Sequence, residues 1–111
     1  MKSLPDCKTE EKVLNLLSFA SRMGKLIYGK EKLERYLFSK GDKLLFMASD
    51  SSLNTQKFWI NKCEPNDIDL LMLKCHSKSS LAKRLGKNEL SVVSTSNQDI
   101  INGIKKIMRE D

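Results

Sequence analysis

A chain of 111 residues, 40% apolar and 31% charged, has the material for one hydrophobic core and too little length for two, and such fractions exclude a disordered chain. No apolar run reaches membrane-spanning length and the N-terminus lacks the apolar stretch of a signal peptide, which predicts a cytoplasmic location with no membrane partner. The net charge of +6 is unevenly spread: residues 22–43 hold seven Lys/Arg against three Asp/Glu, residues 74–88 hold five and no acid, and the remaining stretches are neutral or slightly negative.

In chain order, residues 9–23 form a helix, because Val13, Leu16, Leu17 and Ala20 recur at helical spacing. Glu10 and Glu11 stand in its first turn and Arg22 in its last, each where the helix dipole favours its sign, and Gly24 ends it. Residues 25–28 make a brief strand that breaks at Gly29 into a second helix, residues 30–39, with Leu33, Tyr36 and Leu37 inward. The continuous apolar run of residues 43–48 is a central strand covered on both faces. A polar loop with several capping residues opens a third helix carrying Thr55, Phe58, Trp59, Lys62 and Cys63, which Pro65-Asn66-Asp67 terminates. Residues 68–73 form the next strand. Ser77 caps a fourth helix, with Leu81 and Leu85 on its inner face, ending at Gly86; residues 90–94 are the last strand, and residues 97–109 a final helix with an isoleucine stripe.

Alternating helices and strands give a sheet with helices on both faces, here a three-layer α/β/α sandwich of about four strands. Residues 1–8 are read as a lead-in and residues 9–109 as a single domain. The three cysteines, Cys7, Cys63 and Cys75, lack CxxC pairing and are read as reduced structural thiols. His76 next to Cys75 has no further metal ligands at usable spacing and no visible orienting partner, so it is read as a loop or strand-end histidine. No GxGxxG, P-loop or GxSxG is present, and neither catalytic residues nor a cofactor are assigned. Trp59 falls on a core stripe and the other aromatic residues are scattered, so no stacking platform is evident.

The stretch from Arg22 to Arg35 then stands out. A glycine-opened helix with Lys30, Lys32 and Arg35 around its start is a seat for phosphate, since its first N–H groups are unpaired and carry partial positive charge. With Lys25 at the head of the preceding strand, it reads as half of an RNA-binding surface. The same basic face also suits a module that docks a translation or ribosome-assembly factor.

The series Leu16-Leu17-Ser18-Phe19-Ala20-Ser21-Arg22-Met23-Gly24-Lys25-Leu26-Ile27-Tyr28-Gly29 resembles the opening of bacterial kink-turn-binding proteins of the ribosomal L-seven-Ae family, its small YlxQ-type members in particular. Leu45-Phe46-Met47-Ala48-Ser49-Asp50-Ser51-Ser52, Asn54-Thr55, Lys62-Cys63 and Leu81-Ala82-Lys83-Arg84-Leu85-Gly86-Lys87 ahead of Val92-Val93 continue it in order. The resemblance implies a non-catalytic protein that binds a sharply kinked RNA with tandem sheared G·A pairs, ribosomal RNA and ribosome association being the leading expectation. It places the contacts at the start of the second helix (Gly29, Lys30, Glu31, Lys32, Arg35) and in the loop of Leu85, Gly86, Lys87, Asn88, Glu89, Leu90 and Ser91. In those roles Gly29 lets backbone approach the RNA, Lys30, Lys32, Arg35 and Lys87 neutralise phosphates, and Glu31 accepts from a guanine edge. Leu85 or Leu90 packs on an extruded base or sugar, with Asn88 hydrogen-bonding nearby. The chain departs from archaeal and eukaryotic members, which read the G·A pairs with Asn-Glu where it has Glu31-Lys32. An amide donates and accepts; a carboxylate only accepts.

Overall fold

The computed structural model describes residues 1–110. Its elements are β1 (Lys2–Ser3), α1 (Cys7–Arg22), β2 (Leu26–Tyr28), α2 (Lys30–Leu37), β3 (Leu44–Ala48), α3 (Leu53–Cys63), a 3-10 turn (Glu64–Asn66), β4 (Asp69–Leu73), α4 (Lys78–Leu85), β5 (Val92–Thr95) and α5 (Gln98–Glu110). The strands form one mixed sheet in the order β1-β4-β3-β5-β2, with β1, β4 and β3 parallel and β5 antiparallel to both β3 and β2. The expected sandwich is therefore present with five strands. The fifth comes from the residues read as a lead-in: Lys2 and Ser3 pair with Leu71 and Met72 along the β4 edge.

Period-two alternation sorts the core into two layers. From β3, Leu44, Phe46 and Ala48 enter the side covered by α1, α4 and α5, packing with Leu14, Leu17, Leu81, Leu85, Ile101 and Ile104. Leu45 and Met47 point to the opposite side, against Leu33, Tyr36, Trp59 and Cys63 of α2 and α3. Every residue of β3 is buried, as a strand covered on both faces requires. Tyr36 ties α2 to this strand: its hydroxyl accepts from the Leu44 N–H at 3.3 Å, and burial pushes the phenol above its ordinary pKa.

The cysteines correct the expectation of three reduced thiols. Cys7 and Cys75 form a disulfide across 68 residues of chain, with their Cα atoms 5.7 Å apart, pinning the start of α1 to the loop after β4. Cys63 is free and fully buried, and burial pushes its thiol up to about 11. Thiol titration of the native protein should accordingly find no reactive group, denaturation alone should expose one, and denaturation with reductant three. Three reactive thiols in the denatured, unreduced protein would contradict the bridge.

Among the described residues, no helix is long and apolar enough to cross a membrane.

Candidate nucleic-acid interface

α1 stops where Gly24 takes a left-handed conformation and the Gly24 and Lys25 amides close on Ser21 and Ala20. The chain then enters β2, an edge strand held by β5, with Tyr28 opposite Val93. Gly29 follows at φ 87° and ψ 140°. This backbone demands glycine, although a Cβ there would meet nothing within 4 Å. The space in front of the turn is therefore open to an approaching backbone.

α2 differs from its neighbours in how it begins. Asp6, Ser52, Ser77 and Asn97 each accept a backbone N–H at the head of α1, α3, α4 and α5. Gly29 offers no side chain, so the first N–H groups of α2 have no side-chain cap while Lys30, Glu31 and Lys32 stand exposed around them. The helix start therefore has its first donors and its positive end without a side-chain partner.

The second basic segment is delivered to the same place. Gly86, at φ 72°, ends α4 with the Gly86 and Lys87 amides closing on Lys83 and Ala82, and the chain swings back toward β5. The Lys87 ammonium then lies 5.0 Å from the Tyr28 ring centroid, and Lys32 approaches the same ring at 5.9 Å. Beside them runs a groove of about 510 Å³. Its walls are the Tyr28–Lys30 turn, residues 89–92, and Asn54, Thr55 and Phe58 of α3. Lys30 and Lys62 sit 4.4 and 5.4 Å from the centre of the Phe58 ring, and Phe58 meets the buried Trp59 edge-on at 5.0 Å. The result is a cleft with an aromatic wall, cations along its rim and open backbone donors at one end.

The expected residues fall into three groups. Gly29 and Lys30 line the groove and Lys32 and Lys87 meet the Tyr28 ring at its edge, with Glu31 exposed between the two lysines of α2, Asn88 next to the groove residue Glu89, Gly86 in a neighbouring cleft, and Arg35 exposed one turn beyond Lys32 on the same face. Leu85 and Leu90, expected to pack on an extruded base or sugar, contribute to the core and each also lines a surface cavity. They are 2% and 3% exposed and belong to the core, where Leu85 anchors the end of α4 and Leu90 closes the groove floor. Lys25 lies at the opposite end of β2 from Gly29, its carbonyl accepting from Thr95 Oγ1 and Ser96 N–H. The α3 wall escaped sequence reasoning; its signal was Asn54, Thr55 and Phe58 at i, i+1 and i+4, one helix face carrying two polar groups and a ring.

His76 lies in the loop after β4, as expected, and has partners that the sequence did not show. It is 8% exposed, with Nδ1 3.1 Å from Glu10 Oε1 and Nε2 3.4 Å from Glu11 Oε1. Glu10, 1% exposed, also accepts the Cys75 N–H at 3.1 Å. Arg84 closes the chain of contacts on Glu11 at 2.6 Å, and that hydrogen bond holds the Glu11 carboxyl below its ordinary range. Beside the disulfide, this cluster fixes α4 against α1 and so sets where Gly86 and Lys87 emerge. Among the described residues, no three His, Cys, Asp or Glu side chains are grouped to hold a metal ion.

No family model matches the chain. The RNA-binding protein YlxQ of Enterococcus faecium is 31% identical over 77 residues, covering 69% of this chain and 73% of that protein. The RNA-binding protein YlxQ of Bacillus subtilis (strain 168) is 27% identical over 93 residues, covering 84% of the chain and 91% of the relative. A solved structure from Bacillus halodurans, described as a protein of unknown function, superposes with a TM-score of 0.75 at 22% identity, over 88% of this chain and 97% of the other. The Giardia lamblia 15.5kD RNA binding protein superposes at 0.73 with 14% identity, over 96% of this chain and 90% of that one. The two superpositions speak for the fold.

Proposed function

The chain belongs to the family of the RNA-binding protein YlxQ, and from that premise we propose that it is a non-catalytic protein that binds structured RNA in the groove between α2, α3 and the loop before β5. The ligand we infer is a kink-turn or similarly bent duplex, with ribosomal RNA and a ribosome-associated role first among the sources. The binding domain is residues 9–109, and Lys2–Ser3 adds an edge strand to its sheet.

The observation that supports this reading most is the uncapped start of α2 facing Lys87 across Tyr28. A bend in RNA crowds phosphates together, and the N–H groups after Gly29 with Lys30, Lys32 and Lys87 offer donors and positive charge at one place. The open side of Gly29 admits the sugar–phosphate backbone. Glu31, exposed and without an ion pair among the described residues, accepts from a guanine amino group at a sheared pair. Phe58 with the aliphatic stems of Lys30 and Lys62 provides a surface for a base turned out of the stack.

Equilibrium binding to a kink-turn duplex, beside a duplex of the same length with the G·A pairs replaced by Watson–Crick pairs, tests the proposal. The kinked RNA should bind at least about tenfold tighter, and both affinities should fall steeply with salt. Equal affinities would remove the preference for the bend. Absence of binding to either at low salt would instead favour a surface that docks a protein.

A further inference from the structure

A second cleft lies on the other side of the Leu85–Gly86 corner, between α1 and α4, with a volume of about 670 Å³. Its cations are Arg22, Lys83 and Arg84, and no carboxylate lines it. Arg84 is already held by Glu11 and Asn15, whereas Arg22 and Lys83 make no ion pair among the described residues. Phe19 is 56% exposed at the rim, with the Arg22 guanidinium 4.7 Å from its ring centre. The buried Oγ of Ser18, which also belongs to this lining, has no hydrogen-bond partner among the described residues.

Each of these features is unusual for an idle surface. A large ring left in water forgoes the gain that burial would bring, and an arginine laid over it makes a flat cationic–aromatic pair. Two unpaired cations with no acid between them raise the local potential. The cleft also lies close to the groove along the chain, since Gly86 lines it and Lys87, the next residue, leans over Tyr28 at the groove's edge. The Ser21 hydroxyl donating to the Leu85 carbonyl at 2.7 Å keeps the two sites in fixed relation.

We propose that this cleft receives a single-stranded RNA segment running on from the molecule held in the groove, with an unpaired base stacked on the Phe19–Arg22 pair and its phosphate on Lys83. The inference rests on the RNA reading above. It extends that reading to a second site with different chemistry, because the groove suits a bent helix whereas a flat ring beside lone cations suits an unstacked strand. An acidic peptide would satisfy the cations but would leave the ring without a stacking partner.

The test compares a blunt kink-turn duplex with the same duplex carrying an eight-nucleotide oligouridylate tail, and includes the free oligouridylate. The tail should tighten binding by about tenfold, in the range expected for stacking one or two bases. Phe19→Ala and Lys83→Glu should each abolish that gain and leave the blunt duplex unchanged, while Lys32→Glu should weaken both duplexes. Phe19 is exposed, so its truncation leaves the core intact, which a thermal melt checks. No gain from the tail, a gain that survives both substitutions, or displacement of the tail by polyglutamate as effective as by free oligouridylate would overturn the proposal. Failure of the groove reading looks different: the blunt duplex would not bind, while free oligouridylate would still bind the native protein and lose that binding in Phe19→Ala.

Discussion

The double variant Lys32→Glu, Lys87→Glu should lose about 100-fold in affinity for a kink-turn duplex at low salt, and its plot of log affinity against log salt should be shallower by about two phosphate contacts. The two residues come from different segments, yet their ammonium groups meet over one ring, Tyr28, so both face the same stretch of ligand. Reversing them replaces attraction with repulsion where RNA phosphates would crowd. The fold has little at stake, because neither forms an ion pair among the described residues and the contacts with Tyr28 contribute about 1 kcal/mol or less. Each single variant should retain part of the binding and most of the thermal stability. A double variant that binds like the parent, with unchanged salt dependence, would take this end of the groove out of the interface.

The second large effect is on stability. Glu10→Ala should destabilise the protein by about 3–5 kcal/mol, measured by chemical denaturation with the disulfide intact. The carboxylate is 1% exposed and serves two buried donors, the Cys75 N–H and His76 Nδ1, both at 3.1 Å. Removing it leaves a cavity and two buried polar groups without their acceptor beside α4. Glu10→Gln should cost less, because its carbonyl can still accept the Cys75 N–H. The loss is a large share of the 5–15 kcal/mol that holds an ordinary domain together. A change under about 1 kcal/mol in Glu10→Ala would show that the disulfide alone positions this loop.

Much of the scaffold was legible because its signals are local. The run Leu44 to Ala48 reads as a doubly covered strand from composition alone, and the cap at Ser77 and the glycine stops at 24 and 86 mark helix ends within a residue or two, while the polar loop before α3 offered several caps of which Ser52 is the one used. The uncapped α2 start could be suspected from Gly29 followed by lysines, and that local geometry is what the structure has. What escaped depends on residues distant in sequence. Lys2–Ser3 is two residues long and exposed, so it carries no pattern, and only the β4 edge makes it a strand. Glu10 has an adequate local explanation in the helix dipole, and nothing in its neighbours announces a histidine 66 positions away. The Cys7–Cys75 bridge is hidden for the same reason.

Leu85 carried two incompatible expectations, an inner-face position one turn from Leu81 and a contact with an extruded base. The first is the one the packing has: both leucines are in the core and Leu85 is 2% exposed. The α3 wall shows the converse. Phe58 and Trp59 are adjacent in sequence and both reach the groove, yet Phe58 lies under two lysines while Trp59 is buried in the core layer, a division set by helix rotation that composition cannot reveal.

The central claim is that RNA enters the groove between α2, α3 and the loop before β5. Backbone amide spectra of the labelled protein, recorded while a kink-turn duplex is titrated in, test it most directly. The largest shifts should fall on Gly29, Lys30, Glu31 and Lys32, on residues 86–91, and on the Trp59 indole at the groove wall. Shifts centred on the outer face of α5, with those positions unmoved, would contradict the account.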